Sequence, residues 1–330
     1  MMPKHPRQAQ MPSGFTLIEL LVAMILAVLV ITPLLGFMIN IIDNDHREQA
    51  KAASEQEIQA AVDYITQDLE QAVYIYDADG LSNNSTDNPP GIKDQIPPIA
   101  KSPNCNDVST CVPVLVFWKR EFKKQAVQVT GSASNQKNDS FVYSLVAYYL
   151  IKDNSSTWSK AARIARFEIK DGVRNPDNFN NYVNENDPEL GRSLGFKPFE
   201  LKLPGTLKEK MDTWTNSSET YTARADVLVD YIDQSTNAPQ PVDCQKALAQ
   251  NPTQPNQQAQ RVPPDSINTL KINSFYACVD SSPDKNLVRV FIRGNALARL
   301  NEGTTYSSSR PVYFPTASTQ GQGRGLLNEQ

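Results

Sequence analysis

The residues able to do chemistry in this chain fall into a few groups, and the most unusual is a single carboxylate. Glu19 stands in a run from Phe15 to Ile42 that is otherwise apolar apart from Thr16, Thr32, Asn40 and the breakers Pro33 and Gly36. A carboxylate near the start of such a run is costly in lipid and, when kept, usually has a partner. Its chemistry would be charge compensation in a low-dielectric setting. The second group is Cys105, Cys111, Cys244 and Cys278. An even, small number fits two disulfides in an oxidising compartment. The simplest pairing is Cys105 with Cys111 and Cys244 with Cys278, each stapling a loop that has little core of its own. Four cysteines allow other connectivities. A four-cysteine zinc site is the sharper alternative, but it asks for two closely spaced pairs where this chain has one.

The third group is acidic and aromatic. Glu168, Asp171, Asp230 and Asp233 could be imagined as an acid pair for glycoside hydrolysis. Trp118, Tyr148, Tyr149, Trp158, Trp214 and Tyr231 could offer a sugar-stacking surface. Nothing in the sequence brings the acids into one cleft, and alternating strands bury aromatic rings routinely. Solvated charges at sheet ends and core aromatics are therefore the plainer readings. Asp77-Ala78-Asp79-Gly80 has the opening of a calcium loop. It lacks the third oxygen ligand and the downstream bidentate glutamate, and a helix-terminating turn accounts for it. His5 and His46, both near the N-terminus, are the only histidines, so a C-terminal domain has no imidazole for base catalysis or metal ligation. No nucleophile elbow, P-loop, zincin helix or dinucleotide fingerprint occurs. The expectation is a protein that is not an enzyme, with no cofactor and no metal. A net charge of −4 leaves no basic footprint for nucleic acid.

The element that must position Glu19 is a helix. Leu20 to Ile39 spans roughly 30 Å at about 1.5 Å per residue, the thickness of a bilayer core. Lys4 and Arg7 precede the run, and Asp43 and Asp45 follow it. The positive-inside rule then keeps the N-terminus in the cytoplasm and exports the rest. An ordinary cleaved signal would have a shorter core and a small-residue cleavage site, and Thr32 to Phe37 offers no Ala-x-Ala. A plain signal anchor explains length and orientation but leaves Glu19 without a reason.

The stretch Gly14-Phe15-Thr16-Leu17-Ile18-Glu19-Leu20-Leu21-Val22-Ala23-Met24 resembles the class III signal of type IV prepilins and pseudopilins. That resemblance implies cleavage after Gly14 by a prepilin peptidase on the cytoplasmic face and N-methylation of the new terminal Phe15. Glu19 becomes the fifth residue of the mature chain, the family's glutamate position. A glycine before the scissile bond leaves the backbone accessible because it has no Cβ. The implied assembly residues are Phe15 and Glu19, the glutamate answering the α-amino charge of a neighbouring subunit. The implied partners are other pilins or pseudopilins, the peptidase, the membrane and an inner-membrane assembly platform, with energy from a separate ATPase.

Past Ile42 the chain turns polar but keeps a helical period. Ala50, Ala53, Ile58, Ala61, Ile65, Leu69 and Val73 form a near-continuous stripe. One helix from Phe15 to about Tyr76 follows, with Pro33 and Gly36 expected to bend or locally unwind it. Strand character returns at Val112–Trp118, Phe141–Ile151, Ile164–Ile169, Ala223–Ile232, Leu270–Val279 and Leu287–Leu300. Long polar connections lie near 173–220 and 233–266. The expected fold class is α+β and pilin-like, a long N-terminal helix packed on an antiparallel sheet with long loops. Its divisions are a leader at 1–14, a transmembrane helix at 15–42, an amphipathic continuation at 43–76 and a loop at 77–112. A periplasmic β-rich head at 113–306 and a flexible tail at 307–330 complete it.

Shorter pieces narrow the resemblance. Val227-Leu228-Val229-Asp230 and Val288-Arg289-Val290-Phe291-Ile292-Arg293 are similar to large J-type minor pseudopilins and PilW-like minor pilins. The segments Ser54–Ile65, Gln71–Gly80 and Pro113–Arg120 resemble the hormogonium polysaccharide secretion pseudopilins of filamentous cyanobacteria. This implies a filament that supports polysaccharide export and gliding. The rival is a membrane-anchored periplasmic carbohydrate-binding or hydrolysing protein that borrows a pilin-type signal.

Overall fold

The computed structural model describes residues 14–128, 136–236, 239–250, 259–282 and 285–324. The chain divides into two units, Met1–Gln49 and Ala50–Gln330. One helix, α1 (Leu17–Leu69, 53 residues), supplies residues to both. Helical assignment runs unbroken through Pro33 and Gly36, so the expected local unwinding is absent. In the first unit every described residue is exposed, and the mean hydropathy of its best window is 2.8. That helix is long and apolar enough to cross a membrane.

In the second unit α1 buries Ala50, Ser54, Ile58, Ala61, Val62, Ile65, Asp68 and Leu69, a stripe at three- and four-residue steps. The helix ends at Leu69, not near Tyr76, and β1 (Ala72–Ile75) follows after a turn. The reason is local: Val73-Tyr74-Ile75-Tyr76 is β-branched and aromatic, and its residues are buried on both faces, which a sheet satisfies better than a helical stripe. Next come α2 (Ala78–Ser82), β2 (Cys111–Gln128), β3 (Lys137–Ile151) and β4 (Ala162–Lys170). The polar connections expected near 173–220 and 233–266 hold short elements: β5 (Arg174–Asn175), β6 (Asn178–Tyr182) and α3 (Leu207–Asp212) in the first, and α4 (Cys244–Ala247) and β8 (Gln260–Val262) in the second. Between them β7 (Asp226–Ile232) lies inside the strand expected at Ala223–Ile232. The chain closes with β9 (Phe275–Asp280), β10 (Leu287–Arg293) and β11 (Thr316–Gln322).

These strands make a five-stranded sheet, β1-β2-β3-β4-β7, a four-stranded sheet, β11-β10-β9-β8, and the small β5-β6 ribbon. Every pairing is antiparallel, so the class is α+β, consistent with a pilin-like fold. Both larger sheets touch the buried stripe of α1. Thr66 meets Thr319 of β11 at 2.7 Å, and a Cβ at Gly321 would lie 2.9 Å from Leu69 Cβ, so only glycine lets that strand approach so closely. The tail read as flexible from Ser307 thus contains β11, paired with β10 in unbroken register. Thr-Ala-Ser-Thr-Gln-Gly-Gln carries no apolar alternation, so its backbone pairing had no side-chain signal. Residues 325–330 of that tail, and most of the leader, lie outside the described residues.

Cys105 is bonded to Cys111 (Cα–Cα 5.6 Å) and Cys244 to Cys278 (Cα–Cα 5.1 Å). All four sulfurs are thus committed, leaving no thiolate for zinc. The first bridge ties the loop before β2, and the second fastens α4 to β9 beside a small cluster of Leu248 and Tyr276.

Candidate functional site

Gly14 sits in open space, with nothing within 4 Å of where a Cβ would stand, and the Phe15 ring is 85% exposed. Helix α1 starts two residues later. Its first amides lack intrahelical acceptors, and Thr16 and Glu19 supply them reciprocally. Glu19 N donates to Thr16 Oγ1 at 3.3 Å, while Thr16 N and Oγ1 donate to Glu19 Oε2 at 3.4 and 3.3 Å. This is a capping box, and Thr16-x-x-Glu19 is its sequence signature. Thr16 is thus a functional neighbour of Glu19 beyond the processing and assembly residues, and its Thr-x-x-Glu spacing is legible in the sequence. The bonds are long for their type, and they occupy only one carboxylate oxygen. A negative side chain in the first turn also complements the helix dipole. The arrangement holds Glu19 at a helix start, exposed, one turn from Phe15.

The hydroxyl of Thr32, farther along the apolar helix, is satisfied locally. Thr32 Oγ1 donates to the Val28 carbonyl at 2.8 Å, which hides its hydroxyl. His46 lies on the exposed part of the same helix, while His5 is outside the described residues.

The acids considered for glycoside chemistry are each engaged by a neighbour in the head. Glu168 binds Arg166 at 2.7 Å, Asp171 binds Arg174 at 3.2 Å, and Asp233 binds Arg293 at 2.8 Å. Asp230 accepts from Ser159 N and Oγ at 2.9 and 2.8 Å. Each of the four carboxylates is engaged by a partner of its own. The aromatics are similarly spent. Trp118 donates to Tyr76 OH at 2.9 Å, Trp214 donates to the Lys197 carbonyl at 2.7 Å, and Tyr148 and Tyr149 are fully buried. Trp158 is exposed, and Tyr231 is covered by the Arg299 guanidinium at 4.4 Å. Asp77 caps α2 by accepting from Gly80 N at 3.0 Å, and Lys208 Nζ lies 2.8 Å from its carboxylate. An ammonium therefore stands where a calcium ligand set would need a cation. Among the described residues no group of three His, Cys, Asp or Glu could hold a metal ion.

Two buried charge networks were not foreseen. Asp68, in the last turn of α1, accepts from Arg166 Nε (2.7 Å), Lys119 Nζ (3.0 Å) and Tyr148 OH (2.6 Å). Lys119 also meets Glu121 at 2.6 Å. Burial raises the Asp68 carboxyl, but the Arg166 hydrogen bond and the Arg166 and Lys119 charges outweigh it, leaving its pKa below the ordinary value. Glu121 falls to about 2, its burial outweighed by Lys119 and Lys123. In the second network, Lys208 bridges Asp77 and Asp212, at 2.8 and 3.0 Å. Burial pushes Asp212 up to about 6, with Lys208 opposing and the Asp77 charge reinforcing. Asp68, Lys119, Asp77 and Asp212 are all buried in the head, and each carboxylate is engaged by a cation of the same chain.

Residues 11–35 match the family model described as the prokaryotic N-terminal methylation motif. No curated protein and no solved structure matches the chain. The motif, on a helix apolar and exposed enough to sit in a bilayer, supports a type IV pilin-like protein anchored in a membrane. A protein of that kind is processed by a prepilin peptidase and assembles with other pilins.

Proposed function

We propose that the chain is a minor pilin or pseudopilin subunit of a type IV pilus-like or type II secretion-like filament, and that it is not an enzyme. The observation carrying this reading is the coincidence of Gly14, Phe15 and Glu19 at motif spacing with an accessible Gly14 backbone and an exposed Glu19. Cleavage after Gly14 would free an α-amine on Phe15, one turn from Glu19. In a low-dielectric helix bundle, Glu19 of one subunit compensates the Phe15 amine of another, an attraction far stronger than in water. The long capping bonds of Glu19 leave it able to exchange Thr16 for that amine. The chain sits in the inner membrane as a single pass, N-terminus cytoplasmic and head periplasmic, until a platform assembles it. Resemblance to the hormogonium polysaccharide secretion pseudopilin HpsB favours a filament that supports polysaccharide export and gliding. The length of the chain suits a minor rather than a major subunit.

Glu19→Ala and Glu19→Val test the proposal. The expected outcome is loss of assembly, read by crosslinking to other subunits, with the head still folded and the chain still processed. Export that continues with the head alone would favour the anchored carbohydrate-binding protein instead. The scattered acids and buried aromatics already weigh against a hydrolytic form of that rival.

A further inference from the structure

The β2-β3 hairpin runs well past its sheet. β1 pairs with β2 only as far as Lys119, and β4 pairs with β3 only as far as Ser144. Beyond those points the two strands pair with each other as a ribbon, through Phe122↔Phe141 to Gln128↔Lys137. One face of the ribbon packs Ala126 and Val142 on Val173 and Leu190. The other face shows Phe122 (54% exposed) and Phe141 (48% exposed), edge to face at 5.3 Å, with the Arg120 guanidinium 3.7 Å over the Phe141 ring. Next to them opens a groove of about 580 Å³ lined by Tyr143, Phe199, Leu201, Leu203, Lys202 and Lys210, among others. Two half-exposed phenylalanines on the outer face of this ribbon are not explained by the core of the head, which the ribbon meets through its opposite face.

We propose that this ribbon and groove dock an extended, acidic segment of another polypeptide. The charge balance favours an anion. Arg120 and Lys202 have no acidic partner among the described residues. The nearby acids are already answered: Asp171 by Arg174 and the Gly172 amide, and Glu200 in part by the Lys202 amide. The form of the surface favours peptide over glycan. A sugar ring stacks on a bare aromatic face, but Arg120 covers Phe141, and Tyr143 and Phe199 are turned edge to face on each other at 5.0 Å. The ribbon's unpaired strand edge offers backbone groups that an extended peptide can complete in register. An apolar side chain between acids would lie on Phe122 while the acids reach Arg120 and Lys202.

The test is fluorescence anisotropy on the full chain in detergent. One probe is a synthetic peptide alternating Asp with Phe and Val, a second has Lys in place of each Asp, and an alginate hexasaccharide is the anionic glycan. The expected result is binding of the acidic peptide alone. Phe122→Ser and Arg120→Glu should each weaken it by about tenfold, and Arg120→Glu with Lys202→Glu should take up the Lys peptide. Tryptophan fluorescence checks folding, and Lys202→Glu alone, an exposed loop change, serves if a ribbon variant misfolds. Equal binding of both peptides, acidic-peptide binding insensitive to these variants, or alginate binding in place of the peptide would each overturn the proposal.

Discussion

Glu19 and Asp68 are acids near opposite ends of one helix, and they are treated in opposite ways. Glu19 stands in the first turn, where the helix dipole favours it, exposed and held only by long bonds to Thr16. Asp68 stands in the last turn, where the dipole opposes it, buried and bound by Arg166, Lys119 and Tyr148. The acid in the unfavourable place is saturated within its own chain, and the one in the favourable place is left with capacity to spare. On the proposed assembly role, the unspent hydrogen-bonding capacity of Glu19 in an apolar segment is what would serve another subunit. A saturated carboxylate in a core points inward, to the stability of its own fold.

The contrast breaks most visibly at Asp68. Asp68→Ala strands Lys119 and Arg166 without their shared anion and should destabilise the head by about 3–5 kcal/mol in denaturant titrations. The cross-links come next. Cys244→Ser with Cys278→Ser reopens a loop of sequence separation 34 and should lower stability by about 3–4 kcal/mol, against about 2 kcal/mol for the bridge of separation 6.

Asp212 has a folded pKa near 6 against an ordinary 3.8, so the folded chain holds that proton more tightly than the unfolded chain, and stability falls as pH rises through this window. Asp212→Asn, neutral throughout, should gain on the parent by about 1–3 kcal/mol between pH 4 and 7. Asp68 has a lowered pKa, so its contribution is present above the ordinary aspartate range and is lost as pH falls through the folded value. The deficit of Asp68→Asn should therefore shrink in acid, the reverse trend. The smallest effect is expected at Glu19. Glu19→Ala should change head stability by about 0.5 kcal/mol or less while abolishing assembly.

What was legible in the sequence followed from periodicity and from strong local chemistry. The stripe from Ala50 to Leu69 announced the packed face of α1, and the runs around Val112 and Leu145 announced the central strands. The charged ribbon beyond Lys119 did not look like sheet, because Lys123, Lys124 and Gln125 break the apolar alternation while their backbones still pair or bulge. β11 escaped for the same reason. Val73 was assigned to the helix because a stripe residue and a strand residue look alike one at a time. Gly14, Phe15 and Glu19 were visible because the motif is a matter of residue type and spacing. The capping role of Thr16 was equally visible and was passed over. Asp68 meets Lys119 and Arg166 at sequence separations of 51 and 98 and Asp77 meets Lys208 at 131, distances that no local pattern reveals, whereas the Lys208–Asp212 pair, four residues apart on α3, is a helical spacing that was there to be read.

Processing as a prepilin would leave its mark at the N-terminus, which peptide mass spectrometry of the protein from its native membrane reads. A mature chain beginning at N-methylated Phe15 is the predicted result. A chain still carrying Met1 to Gly14, or one cut near Phe37, would contradict it.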